Sequence, residues 1–103
     1  MRNDRGMLHV LLLRYTRTPD DAAPHVPDHV EYLETHHDDG TFVLSGQTAP
    51  DGTGGVILAR GSRAAVERIA AADPFIVAGV GSYEIISAEP GRGAREVLDL
   101  FGP

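Results

Sequence analysis

Apolar and polar positions fall into short blocks whose period switches between two and about 3.6 residues per repeat along the chain. Leu8 to Tyr15 (LHVLLLRY) is an apolar run of strand length. At the strand period, Leu8, Val10 and Leu12 share one side and Leu11 and Leu13 the other. Both sides are apolar, so a sheet holding this strand needs a cover on each face. Residues 16–27, rich in proline and aspartate, read as a loop. A helix is expected from about Pro27 to Asp39, with Pro27 at its first position, where a missing N–H costs little. Val26, Val30, Leu33 and His37 recur at helical spacing and form the expected inward stripe. Gly40 suits the position just after the helix.

The second strand is Thr41 to Ser45 (TFVLS), the turn region spans 46–54, and the third strand is Gly55 to Arg60 (GVILAR). Ser62 is placed to cap a second helix, Arg63 to Ala72, with Val66, Ile69 and Ala70 inward. Pro74 ends that helix or forces a new start. A fourth strand covers Ser82 to Ala88. Beyond Gly91 and Gly93, Val97, Leu98 and Phe101 could form a short docking helix. The division is therefore a polar leader (1–6), one α+β domain (7–90) and a C-terminal tail or docking helix (91–103).

The order βαββαβ predicts a ferredoxin-like fold, a four-stranded antiparallel sheet with both helices on one face. That leaves the other face of an apolar central strand open. A second copy laid sheet to sheet would close a dimeric α+β barrel, so a homodimer is expected. The competing reading is that the tail alone covers this face.

Bulk properties narrow the function classes. The 103 residues suffice for one core, and the net charge of −6 disfavours nucleic acid, which is bound by clustered Lys and Arg. The basic residues are scattered, so an anionic membrane surface is disfavoured too. No apolar run approaches the roughly 20 residues that span a bilayer. No basic-then-apolar secretory pattern opens the sequence. The absence of cysteine removes thiolate nucleophiles and Cys-ligated metals and fits a reducing cytoplasm, the expected location.

Several stretches in order resemble the YciI-like family of small dimeric α+β barrel proteins, from Met7 to about Glu89. They are the apolar opening strand, the helix HVEYL beginning at His29, the run HDDGTFVLSG (37–46), Ser62 before the second helix, and ADPFIVAGV (72–80). The last is similar to the family's acid–proline–aromatic run with a glycine five positions after the proline. The resemblance implies a pocket with a His–Asp pair, here His29 and Asp73. It also implies relatives that act without an organic cofactor on small cyclic or aromatic molecules, such as muconolactone isomerases and a dehydrochlorinase. Two positions depart from the pattern. Val26 stands where family members carry an arginine, and Gln47 where a proline often follows the small-residue–glycine pair.

The chemistry of the pair can be reasoned directly. Near the start of a helix, the positive end of the helix dipole disfavours imidazolium at His29. A neutral imidazole can act as general base. Asp73 could accept from the other ring nitrogen and fix the tautomer, as the acid of a catalytic triad does. Asp73-Pro74 also reads as a helix cap followed by proline at the first helical position, and the two roles are compatible. His29 by itself also reads as an ordinary half-exposed helix residue.

Other candidates carry less. Ser45 could donate into a pocket over the sheet or simply permit close packing; no G-x-S-x-G elbow surrounds it. Phe75 belongs to the acid–proline–aromatic run and is a candidate substrate contact. His9 is read as lining the pocket or the dimer seam, and Tyr83 as an interface aromatic or a phenol facing ligand. His25 lies outside the expected helix, so its four-residue spacing from His29 does not make a metal pair. His36 and His37 diverge by about 100° on a helix and do not readily share an ion. No metal site is expected, and GTGG (52–55) lacks the lysine and helix of a phosphate loop.

The expectation is a cofactor-independent enzyme that moves protons on a small organic molecule, of lyase, dehydrochlorinase-like, isomerase or cyclase type. His29 and Asp73 would be catalytic, with Ser45, His9, Phe75 and Tyr83 binding substrate. The alternative is a non-catalytic dimeric barrel that binds a small metabolite or modulates a partner enzyme. A cofactor-free oxygenase of the neighbouring barrel type is a weaker third reading.

Overall fold

In the computed structural model, described for residues 6–102, the four strands β1 (Leu8–Tyr15), β2 (Phe42–Gln47), β3 (Gly54–Arg60) and β4 (Gly81–Ala88) form one sheet of order β2-β3-β1-β4. Every neighbouring pair is antiparallel. The two main helices are α2 (Val26–Asp38) and α3 (Arg63–Ala71), preceded by the short α1 (Pro19–Ala22) and followed by α4 (Pro74–Val77) and α5 (Arg95–Leu98). This is the expected ferredoxin-like α+β arrangement. The leader, apart from Gly6, and Pro103 of the tail lie outside the described residues.

Sheet alternation decides what is covered. His9, Leu11 and Leu13 of β1 are buried, while Leu8, Val10 and Leu12 remain half-buried. Leu11 and its neighbours Phe42, Ile57, Ala59, Val66 and Ala70 make the core between sheet and helices, with Tyr32, Leu33 and Ile69 packed against it. A second cluster, Leu13, Ala22, Phe75 and Val80, sits at the end of β1 that leads into α1. Residues directly opposite one another share a face. The open face therefore carries Val10 between Leu58 and Ile86, and Leu44 opposite Leu58. Leu44 and Ile86 are 62% and 51% exposed.

Three expectations need correction. The stretch read as a plain loop holds α1, because Thr18 and Asp21 cap it reciprocally: the Asp21 N–H donates to Thr18 Oγ1 and the Thr18 N–H to Asp21 Oδ2. The inward face of α2 is His29, Tyr32 and Leu33; Val26 and Val30 are 40% and 43% exposed. The helix is rotated so that His29 meets α4, which a stripe of valines does not reveal. Finally, the tail docks at one end of the sheet, where Phe101 is buried and Arg60 donates to the carbonyls of Leu100 and Gly40. It leaves Leu44 and Ile86 uncovered.

Candidate active site

Helix α3 ends at Ala71, and Pro74 cannot continue it; the chain restarts as α4 with Asp73 as its cap. Capping aims the Asp73 carboxylate back at the first turn of α4, where Oδ1 accepts from the Phe75 N–H at 2.9 Å. The same oxygen lies 2.9 Å from His29 Nδ1. Oδ2 accepts from the Tyr83 hydroxyl at 2.6 Å. Three donors thus converge on a carboxylate with no solvent exposure. The cap and the histidine partner are one residue in both roles. Burial of an acid is costly unless its oxygens are paired, and here both are.

A carboxylate only accepts, so Nδ1 of His29 carries a proton, and in the neutral ring Nε2 holds the lone pair. The ring lies against Phe75, centroids 4.1 Å apart and planes 13° from parallel, and Tyr32 stacks on it more distantly at 6.0 Å. Phe75 is in turn braced edge-on by Tyr15. His29 borders a hollow of about 250 Å³ between α2 and the sheet. Its floor and walls include Leu13, Tyr15, Leu33, Ile57 and Phe75, with Val26 and Val30 from α2. Ser45, Gly46 and Gln47 approach from β2, and Gly54 and Gly55 from β3. Among the described residues no lysine or arginine contributes to this lining. Another hollow, about 290 Å³, opens by Arg14, Thr53, Ser82 and Glu84, but His29 does not reach it.

Behind the carboxylate, burial first, then the Tyr32 phenol and Asp73, pushes the Tyr83 hydroxyl far above the ordinary tyrosine range. Burial and the Asp73 charge likewise push up Tyr32, whose hydroxyl donates to the Ile69 carbonyl at 3.0 Å. Both phenols stay protonated, and Tyr83 remains a donor to the acid.

The other expected site residues separate. Ser45 and Phe75 border the same hollow as His29. Tyr83 reaches Asp73 from behind and is absent from that lining. His9 does not reach the hollow. It is fully buried and pairs with Ala59 and Ser87, whereas Leu13, at the hollow, pairs with Gly55 further along the strand. Its Nδ1 meets Ser87 Oγ at 2.7 Å and its Nε2 the Gly61 carbonyl at 2.8 Å, so both nitrogens hold structure. His36 and His37 turn apart, toward Asp39 Oδ2 and Ser45 Oγ. Among the described residues no three His, Asp or Glu side chains converge to hold a metal ion. Sequence reasoning did not anticipate the His37–Ser45 contact; their separation of eight residues, helix end to strand, gives no periodic signal.

The family model of the YCII-related domain matches residues 7–89. Among solved structures, the chain is similar to 5-chloro-2-hydroxyhydroquinone dehydrochlorinase (TftG) from Burkholderia phenoliruptrix AC1100, in complex with 2,5-dihydroxybenzoquinone. Identity is 22%, with 82% of this chain and 95% of that one covered at a TM-score of 0.62, which is a likeness of fold. No curated protein matches the chain.

Proposed function

The chain belongs to the YCII-related domain family, and on that premise we propose that it is a cofactor-independent enzyme moving protons on a small, largely neutral organic molecule. One observation carries this reading. His29 has Nδ1 fixed by a buried, triply bonded carboxylate and borders a hollow of small-molecule size.

In this reading Nε2 accepts a proton from an acidic C–H or O–H of the substrate. The electron pair left behind either expels a leaving group from the substrate or is reprotonated at another atom. The first outcome is a lyase or dehydrochlorinase step, the second an isomerisation. Asp73 stabilises the imidazolium formed and keeps the ring in its reactive tautomer. Phe75, stacked on the imidazole, limits its rotation. That no cation lines the hollow among the described residues, and that Val26 does, favours an uncharged substrate over a carboxylate.

A second copy completes the proposed assembly. The open face of Leu8, Val10, Leu12, Leu44, Val56, Leu58 and Ile86 is mostly apolar across the strands, with Glu84 opposite Leu12 and Arg60 opposite Leu8, a surface suited to a self-complementary partner. The protein then works as a homodimer on a small molecule in the cytoplasm. Among the described residues no helix is long and apolar enough to cross a membrane.

The test is chloride release from a panel of chlorinated hydroxyhydroquinones, together with binding of 2,5-dihydroxybenzoquinone. The expected result is turnover that falls about 100-fold or more in His29→Asn, the scale of a lost general base. Binding without turnover would favour the metabolite-binding alternative, for which Val26 in place of the family's arginine also speaks. Neither binding nor turnover would sink both.

A further inference from the structure

The hollow has a second imidazole behind its wall. His37 Nδ1 lies 3.0 Å from the Phe42 carbonyl oxygen, which only accepts, so that nitrogen carries the proton. Nε2 is then the acceptor, and the Ser45 hydroxyl, 2.8 Å away, donates to it. The backbone carbonyl fixes the tautomer of His37 much as Asp73 fixes that of His29. The ring is held edge-on to Phe42, with centroids 6.0 Å apart. Ser45 itself is half-buried and borders the hollow, so its oxygen lone pairs remain open to an occupant.

Resting on the proton-transfer reading of His29, the geometry points to Ser45 and His37 as a second proton-accepting station in the same hollow, and so to a substrate bearing two hydroxyl groups, one for His29 and one for Ser45. In the step, a substrate O–H proton passes to Ser45 Oγ as the proton of Ser45 passes to His37 Nε2. The substrate is left as an oxyanion and His37 as an imidazolium whose Nδ1–H still rests on Phe42. No bond other than these O–H and N–H bonds changes, and no co-reactant is needed. His37 stands in the last turn of α2. The carbonyls there present the negative end of the helix dipole to the charge that arrives. Its neighbours His36 and Asp39 are occupied with each other at 3.0 Å.

A diol held at both ends is fixed in position as well as ionised.

Long-range proton–nitrogen spectra of the histidine rings test this, with hydroquinone as the probe and 4-methoxyphenol as its one-hydroxyl counterpart. Hydroquinone is expected to shift Nε2 of both His29 and His37, and 4-methoxyphenol that of His29 alone. Ser45→Ala should abolish the His37 response, keep that of His29, and weaken hydroquinone binding about fivefold, the scale of one hydrogen bond. Ser45→Thr, which retains the hydroxyl, should restore the response and guards against a folding defect in the alanine variant. If His29 responds in the wild type and His37 does not, Ser45 merely ties β2 to α2 and the relay is wrong while the His29 reading stands. If neither responds, both fall.

Discussion

The His29 imidazole lies nearly flat on the Phe75 ring, 4.1 Å between centroids, and a single oxygen of Asp73 holds both residues. Helix start and ring orientation are therefore set together: shifting α4 moves the stacking partner and the acid at once.

Two substitutions at Asp73 separate its roles. Asn keeps an oxygen for the Phe75 N–H but loses the charge that supports imidazolium. Asp73→Asn is expected to stay folded while activity drops about 10²–10⁴-fold, the range for a disturbed imidazole partner. Asp73→Ala also removes the cap and strands the Tyr83 hydroxyl, at a cost of about 3 kcal/mol or more. Urea denaturation beside an activity assay checks both; equal stability of the two variants would refute the shared role.

The buried phenols give a pH dependence. Tyr32 and Tyr83 are raised in the folded protein, chiefly by burial, relative to about 10 for an exposed tyrosine. The folded state holds those protons more tightly than the unfolded state. Their contribution to stability is thus complete below pH ~10 and is lost as pH rises above it. Spectrophotometric titration should show both ionising only as the chain unfolds. Early, reversible ionisation of all three tyrosines in a folded protein would contradict this.

Gly54 is held by close approach. A Cβ there would fall 2.3 Å from the Leu13 carbonyl oxygen, a backbone atom that cannot swing away. Gly54→Ala should destabilise by about 2–3 kcal/mol, an overpacking cost, and lower the melting temperature by roughly 10 °C or more. Calorimetry settles it; an unchanged transition would mean that β1 and β3 separate there easily.

The open sheet face makes an assembly prediction. Light scattering should give twice the 11.0 kDa chain mass for the wild type. Leu44→Asp combined with Ile86→Asp should yield a folded monomer, because charge at a buried apolar seam is costly. A monomeric wild type at micromolar concentration would remove the barrel.

Much of this architecture is legible in the residues because strand alternation is strict. Leu11 and Leu13 on one side, Val10 and Leu12 on the other, read correctly as two faces, and Ser62 and Pro74 mark real helix boundaries. Strand ends are harder to see. β2 runs on through Gly46 and Gln47, and β3 and β4 begin at glycines, since ladder pairing continues through residues whose composition reads as turn. The phase of α2 is hidden for another reason. Its valines satisfy an amphipathic pattern, yet His29 is what faces α4, and only the three-way contact at Asp73 explains burying an imidazole in preference to a valine. Tyr83 illustrates the same limit: its sequence position fixes a sheet face, whereas its hydroxyl's partner depends on where α4 settles.

Gly55 faces the hollow beside Leu13, and a methyl added there would meet the Gly46 carbonyl at 3.4 Å and Leu13 carbons at 3.8 and 3.9 Å, all ordinary contacts. Cavity capacity can consequently be trimmed by one carbon at a single codon, with the acid, the imidazole and the serine left where they are. The size of the hollow and the arrangement of its polar groups are therefore separately adjustable in this fold.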